Sequence, residues 1–168
     1  TGLYAMIYFL LSHVLLFLIL TTLVIAKLPD IHLKGSIFFL HTSAESSISN
    51  IARCAIESAA RSNPSRRVIV YSNGWKQDEV VGIHTNVYFS TYNVLDIFEG
   101  YPQFLNWYRS SLWKLGYPVN NLSNALRLVI LHQSGGTYMD TDIISLKNLD
   151  TLAPNSIGVE NMQQLGDD

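Results

Sequence analysis

From Leu3 to Ala26 the run LYAMIYFLLSHVLLFLILTTLVIA contains no Asp, Glu, Lys or Arg, and only Ser12, His13, Thr21 and Thr22 interrupt its apolar surface. At about 1.5 Å of helical rise per residue such a segment reaches roughly 30 to 36 Å, enough to cross the hydrocarbon of a bilayer. It is longer than the roughly 7 to 15 residue core of a secretory signal, and it ends at Lys27, Pro29 and Asp30 without a small-x-small cleavage pattern. A retained transmembrane anchor is therefore expected over residues 3–26, behind a stub at 1–2; a buried core helix is the alternative. Lys27 and Lys34 lie on its C-terminal side, which by the positive-inside tendency alone would leave the rest of the chain in the cytoplasm.

After a linker over residues 27–35 the pattern changes to short apolar runs alternating with helical periodicity. Ile37-Phe38-Phe39-Leu40 is a wholly apolar run of the kind a buried parallel strand gives, and His41-Thr42-Ser43 is the polar turn behind it. Ile48, Ile51, Ala52, Ala55, Ile56, Ala59 and Ala60 recur at three- and four-residue spacing, which predicts a helix stopped by Asn63-Pro64, with Cys54 as a small buried residue. Val68-Ile69-Val70-Tyr71 and Val87-Tyr88-Phe89 are the next strands, and Asn73-Gly74 closes the first of them. A second helix is expected from Ser123 to Ser134, with Ser123 or Asn121 as N-cap, Leu122, Leu126, Val129 and Ile130 on its core side, and Gly135 as the stop. Asn124 and Arg127 share another face. The last strand, Thr137-Tyr138-Met139 continuing to Ile143-Ile144-Ser145-Leu146, is interrupted by Asp140-Thr141-Asp142. Strand, helix, strand in this order builds an α/β fold with a parallel sheet, whose ligand site lies beyond the carboxyl ends of its strands.

Composition narrows the function. Eleven Lys and Arg against thirteen Asp and Glu give a net charge of -2, so no basic excess exists to neutralise nucleic-acid phosphates. One cysteine and five scattered histidines supply neither a disulfide framework nor a zinc-finger ligand set. There is no GxSxG elbow, P-loop or GxGxxG turn. Trp107, Tyr108, Trp113 and Tyr117 cluster ahead of the long helix and offer faces that could stack on a base or sugar ring, with core packing the expectation for most of them. Asn121-Leu122-Ser123 is a glycosylation sequon and makes Asn121 a candidate glycan site if the domain is lumenal.

The Asp pair carries the most information. Asp-x-Asp is short enough to arise by chance, but here it sits between Tyr138-Met139 and Ile143-Ile144, where a solvated acid pair is not expected. Two carboxylates one residue apart at a strand edge are costly unless a cation neutralises them, and their oxygens are hard ligands suited to Mg²⁺ or Mn²⁺. An exposed turn is the plainer alternative.

These residues resemble the DXD α-1,4-glycosyltransferase family, which includes lactosylceramide 4-α-galactosyltransferase and α-1,4-N-acetylglucosaminyltransferase. The blocks are Phe38 to Ser43, Cys54 to Pro64, Asn106-Trp107-Tyr108, and Leu122 to Arg127 running through Gly135-Gly136-Thr137-Tyr138-Met139-Asp140-Thr141-Asp142 to Leu149. The resemblance implies a GT-A-like, Rossmann-type nucleotide-sugar-binding half over residues 36–168, C-terminally incomplete relative to the family, behind one transmembrane helix. It implies a retaining transferase of galactose or N-acetylhexosamine from a UDP-sugar to a glycolipid or glycan in glycosphingolipid biosynthesis, in a type II Golgi membrane protein with a lumenal domain. By the same resemblance Asp140 and Asp142 hold Mn²⁺ (or Mg²⁺), and Thr42, Ser43, Asn124, Arg127, Tyr138 and Asp140 line the donor; no residue is singled out as catalytic. The family commonly has Asp at Asn124 and Glu at His41, and its chain continues beyond this one. A membrane-anchored, non-catalytic UDP-sugar-binding or interaction module lacking the acceptor half is therefore the competing expectation, and a cytoplasm-facing domain using the Asp pair for another metal-assisted reaction is the third.

Overall fold

A computed structural model describes residues 35–158. The anchor expected over residues 3–26 lies outside them; among the described residues no helix is long and apolar enough to cross a membrane.

Four parallel strands form one sheet in the order β3-β2-β1-β4: β1 (Ile37–His41), β2 (Val68–Ser72), β3 (Val87–Ser90) and the short β4 (Thr137–Tyr138). Ile37 pairs with Val68 on one side and with Thr137 on the other. All five residues of β1 and all five of β2 are buried, because helices cover both faces of the sheet. Alternation divides them: Phe38, Leu40, Ile69 and Tyr71 face one core, and Ile37, Phe39, Val68 and Val70 face the other.

The second core is closed by α1 (Asn50–Ser62) through Ala52, Ala55, Ile56, Ala59 and Ala60, a stripe of mostly small side chains that lets the helix sit close to the sheet. Ser49 caps α1 by accepting from the Ala52 N–H at 3.1 Å. Asn63, fully buried, ends it: its Nδ2 donates to the Ala59 carbonyl at 2.9 Å. The stripe is narrower than the sequence pattern indicates. Ile51 is 62% exposed, and Cys54, expected to be buried, is also exposed because it shares that outer face.

After β2 come α2 (Gln77–Val81) and, after β3, α3 (Val94–Ile97), α4 (Pro102–Arg109) and the long α5 (Pro118–Ser134). Val94, Ile97, Phe98, Leu122, Leu126, Val129 and Ile130 fill the first core, as expected for the residues of α5. The start of α5 differs from expectation: the helix begins with Pro118 at its first turn and Tyr117 as N-cap. Proline presets the helical φ and lacks the N–H that would otherwise be orphaned there. Ser123 is thus not a cap but a buried residue of the second turn. Asn121 is not a cap either; its Nδ2 donates to the carbonyls of Trp113 at 3.1 Å and Leu115 at 2.8 Å.

Gly135 and Gly136, at φ +68° and +92°, carry the chain from α5 into β4. Two consecutive positive φ values fall to glycine because a Cβ is strained in both places. The expected strand over Ile143–Leu146 does not form. The chain turns at Asp140, whose carbonyl accepts from the Ile143 N–H at 3.1 Å. It then docks on α1 by polar contacts, Ser145 N to Ser58 Oγ at 2.9 Å and Leu149 N to Asn63 Oδ1 at 2.7 Å. Those bonds satisfy the backbone that a strand would have satisfied in the sheet, and they leave Leu146 86% exposed.

Candidate active site

β1 connects to β2 and β3 on one side of the sheet while β4 joins on the other, so the strand order reverses between β1 and β4. In open α/β sheets the crevice outside the carboxyl ends at such a reversal is where ligands bind. Thr42 and Ser43 leave the end of β1, and Asp140 to Asp142 leave the end of β4.

The acidic corner is a linked set. Tyr138 donates its O–H to Asp140 Oδ1 at 2.5 Å. The Arg127 guanidinium lies over the Tyr138 ring, 4.2 Å from its centroid, and reaches both Asp140 oxygens at 3.4 Å. It also donates to the Ser123 carbonyl at 3.4 Å and to Ser123 Oγ at 3.3 Å. Burial pushes the Tyr138 phenol well above its ordinary pKa, and the bond to Asp140 adds to this, so the group stays a donor. The Arg127–Asp140 distances exceed the roughly 2.7 to 2.9 Å of a tight charge-assisted bond, and half-exposed pairs of this kind contribute about 0 to 1 kcal/mol. Arg127 can therefore be redirected to another anion at little cost. Asp142 is exposed and makes no hydrogen bond or ion pair among the described residues. Asn124, one turn before Arg127 on α5, is exposed as well.

The corner at the end of β1 is built differently. Ser72 Oγ accepts from the backbone N–H groups of Gly74 at 3.1 Å and Trp75 at 2.9 Å. Both lone pairs are then used, so its O–H donates to His41 Nδ1, 2.8 Å away. This assigns the proton of neutral His41 to Nε2, which donates to Ser43 Oγ at 2.6 Å. The imidazole stacks on Trp75 at 4.0 Å between centroids. Burial lowers the His41 pKa against the opposing pull of Glu45, consistent with a neutral ring. Tyr92 donates to the His41 carbonyl at 3.1 Å, and burial raises its own pKa to about 12. Gly74 has no room for a side chain, since a Cβ would stand 2.4 Å from the Glu45 carbonyl oxygen. Thr42 Oγ1 donates to the Val119 carbonyl at 3.0 Å and so ties this loop to the first turn of α5.

Of the residues singled out from the sequence, Arg127, Tyr138 and Asp140 are brought into contact; Asp142 follows two positions on and Asn124 stands one turn before Arg127, while Thr42 and Ser43 leave the neighbouring strand and bond Val119 and His41 instead. Ser72, Trp75 and Tyr92 are site-supporting residues that the sequence pattern does not mark. Among the described residues no cluster of three or more His, Cys, Asp or Glu side chains converges on a metal position. The acidic corner offers two carboxylates.

Residues 49–161 match the family described as the glycosyltransferase sugar-binding region containing the DXD motif. The chain belongs to this glycosyltransferase family. Its relatives include lactosylceramide 4-alpha-galactosyltransferase of Mus musculus, 33% identical over 145 residues, covering 79% of this chain and 40% of the mouse protein. Alpha-1,4-N-acetylglucosaminyltransferase of Homo sapiens is 28% identical over 131 residues, covering 69% of this chain and 37% of the human one. The DXD-family chain thus spans about 40% of the length of these curated relatives. The fold is shared with the solved PaToxG glycosyltransferase at a TM-score of 0.51 and 17% identity, over 68% of this chain and 44% of that one.

Proposed function

We propose that residues 36–168 are the donor-binding half of a retaining glycosyltransferase that moves galactose or N-acetylhexosamine from a UDP-sugar to a glycolipid or glycan. The observation that carries this reading is the Arg127–Tyr138–Asp140 set, with Asp142 free beside it, at the strand-order reversal. The mouse and human relatives named above are an α-galactosyltransferase and an α-N-acetylglucosaminyltransferase, which supports the sugar class and the 1,4 linkage. The apolar run over residues 3–26 supports a membrane anchor, and the family resemblance, against the lysines that follow the run, supports a type II Golgi orientation with the domain in the lumen.

A divalent ion fits the acidic corner. Mg²⁺ and Mn²⁺ sites of this kind take one or two protein carboxylates and complete their shell with substrate phosphates and water, so two acids suffice. Asp142, exposed and unpaired, and Asp140 would hold the ion. When bound, it would neutralise charge that develops on the UDP leaving group. The bond between the anomeric carbon and the β-phosphate oxygen breaks with its electron pair on UDP, an acceptor hydroxyl oxygen bonds to the anomeric carbon on the same face, and the hydroxyl proton passes to the departing phosphate oxygen. Arg127 turns from Asp140 towards the donor, Tyr138 keeps the carboxylate oriented, and Asn124 hydrogen-bonds a sugar hydroxyl without adding charge. Thr42 and Ser43 face the nucleotide from the other side of the crevice.

Calorimetry of UDP binding with and without Mn²⁺ tests the reading. Mn²⁺-dependent binding that Asp142→Ala abolishes is expected; equal binding in both proteins removes the Asp pair from the site. UDP binding without donor hydrolysis or transfer, in a chain extended to the relatives' full length, favours a non-catalytic binding module instead.

A further inference from the structure

Beside the donor corner, a cavity of about 350 Å³ opens between α4 and α5, lined by Gln103, Phe104, Trp107, Asn121, Asn124 and Leu128 among others. It adjoins the donor residues through Asn124, which lies three positions before Arg127, about 4.5 Å along the helix axis. The first turn of α5 is tied to the loop after β1 by Thr42, so the end of α5 that carries Asn121 lies at the carboxyl end of β1.

Its chemistry excludes some occupants. No Lys, Arg, Asp, Glu or His lines it, so nothing there compensates a phosphate or an ammonium group. The wall is largely apolar, with two aromatic side chains and three side-chain amides. A pyranose ring matches that combination: its C–H face packs against an aromatic surface, and its hydroxyls pair with amides, which both donate and accept. Asn121 has its Nδ2 committed to the Trp113 and Leu115 carbonyls, which leaves its Oδ1 as an acceptor for a ligand hydroxyl. The volume lies at the small end of ligand pockets, roughly 300 to 1,000 Å³, and suits one or two sugar rings rather than a nucleotide sugar.

We propose that the α4–α5 cavity is the acceptor subsite, holding the terminal hexose of the glycan, with Trp107 as the stacking platform and Leu128 as its outer wall. This rests on the donor reading above, since Asn124, which lines the cavity, stands one turn before Arg127 on α5. Asn124 is thus the residue of α5 that borders both the cavity and the donor corner. A transfer between two sugars needs such a shared border.

The probe is methyl β-lactoside, titrated by calorimetry into the full 168-residue chain with Mn²⁺ and UDP present, with UDP and UDP-galactose titrated separately. Trp107 also packs on the core, so the decisive variant is Leu128→Glu, whose side chain is 60% exposed in the wild type. The expected result is lactoside binding weakened at least about tenfold in Leu128→Glu, with UDP affinity unchanged. Trp107→Ala is expected to do the same where circular dichroism shows it folded. Lactoside binding that is absent in the wild type, or equal in wild type and Leu128→Glu, overturns the proposal. So does a variant that keeps lactoside but loses the preference for UDP-galactose over UDP, because the cavity would then hold the donor sugar. If UDP fails to bind while lactoside binds and Leu128→Glu loses it, the donor reading falls and the sugar-binding cavity stands.

Discussion

The two strand ends that flank the crevice solve opposite problems. At the end of β1, His41 is 8% exposed and its ring nitrogens, Ser72, Ser43 and two backbone N–H groups form a closed, neutral hydrogen-bond set. At the end of β4 the groups are charged, partly exposed and loosely paired, with Asp140 shared between Tyr138 and a long contact to Arg127 and Asp142 left open. A buried polar node that is fully satisfied is stiff, because any broken bond leaves an orphaned donor or acceptor. A half-exposed ion pair is cheap to rearrange because water stands in for the lost partner. The contrast separates scaffold from reagent within one sheet edge: β1 fixes the backbone, and β4 presents the charge.

The largest effect that tests this division is on ligand binding at the β4 end. Asp142→Ala removes an exposed, unpaired carboxylate, so its thermal midpoint should stay near wild type while Mn²⁺-dependent UDP affinity falls at least about hundredfold. Calorimetry and a melting curve on the same sample check both halves. At the β1 end the balance reverses. Ser72→Ala strips the acceptor from the Gly74 and Trp75 N–H groups and the donor from His41 Nδ1, and an orphaned buried group costs about 1 to 3 kcal/mol. Urea denaturation should show a loss of that order, with UDP affinity little changed in the folded fraction. A smaller effect belongs to Tyr138→Phe, which keeps the ring under Arg127 and deletes the bond to Asp140 together with the longer 3.5 Å contact to Ser123 Oγ. About 1 kcal/mol, or roughly fivefold in UDP affinity, is expected. Loss of stability from Asp142→Ala, or loss of UDP from a folded Ser72→Ala protein, would erase the distinction between the two ends.

What the sequence reveals follows from the range of each interaction. β1, β2 and β3 are legible because burial on both faces leaves continuous apolar runs, and α1 and the core of α5 because one face meets the sheet at helical spacing. Ile143-Ile144 mimics a strand, yet the segment's backbone is claimed by Ser58 and Asn63 more than 80 residues earlier, a competition no local pattern records. The expected start of α5 at Ser123 passes over Pro118, which opens the helix, and Ser123, the apparent cap, is drawn into the core beside Tyr138. Asp140, Arg127 and Tyr138 stand within 14 positions of one another and are readable as a set. His41 and Ser72 are 31 apart, with nothing in either neighbourhood to announce the pair.

The smallest expected effect comes from the pH response of the β1 end. Burial holds the His41 pKa below its ordinary value near 6.5, so the unfolded chain takes up the proton before the folded one does. The stability tied to neutral His41 is then fully present above about pH 6.5 and is lost as pH falls through that value towards the lower folded pKa. One proton limits the slope to about 1.4 kcal/mol per pH unit. Protonation would put a second N–H against Ser72 Oγ, which already accepts from Gly74 and Trp75, so the ring cannot simply gain a proton in place. Urea midpoints between pH 5 and 7 should decline in the wild type and flatten in His41→Gln, which keeps an amide in the node without a titrating group. The acidic corner supplies the control: Asp142→Asn should leave the His41 slope intact, because the two ends share a crevice but no hydrogen bond among the described residues. A slope that survives His41→Gln would assign the pH response to other groups and leave the β1 node without a titrating centre.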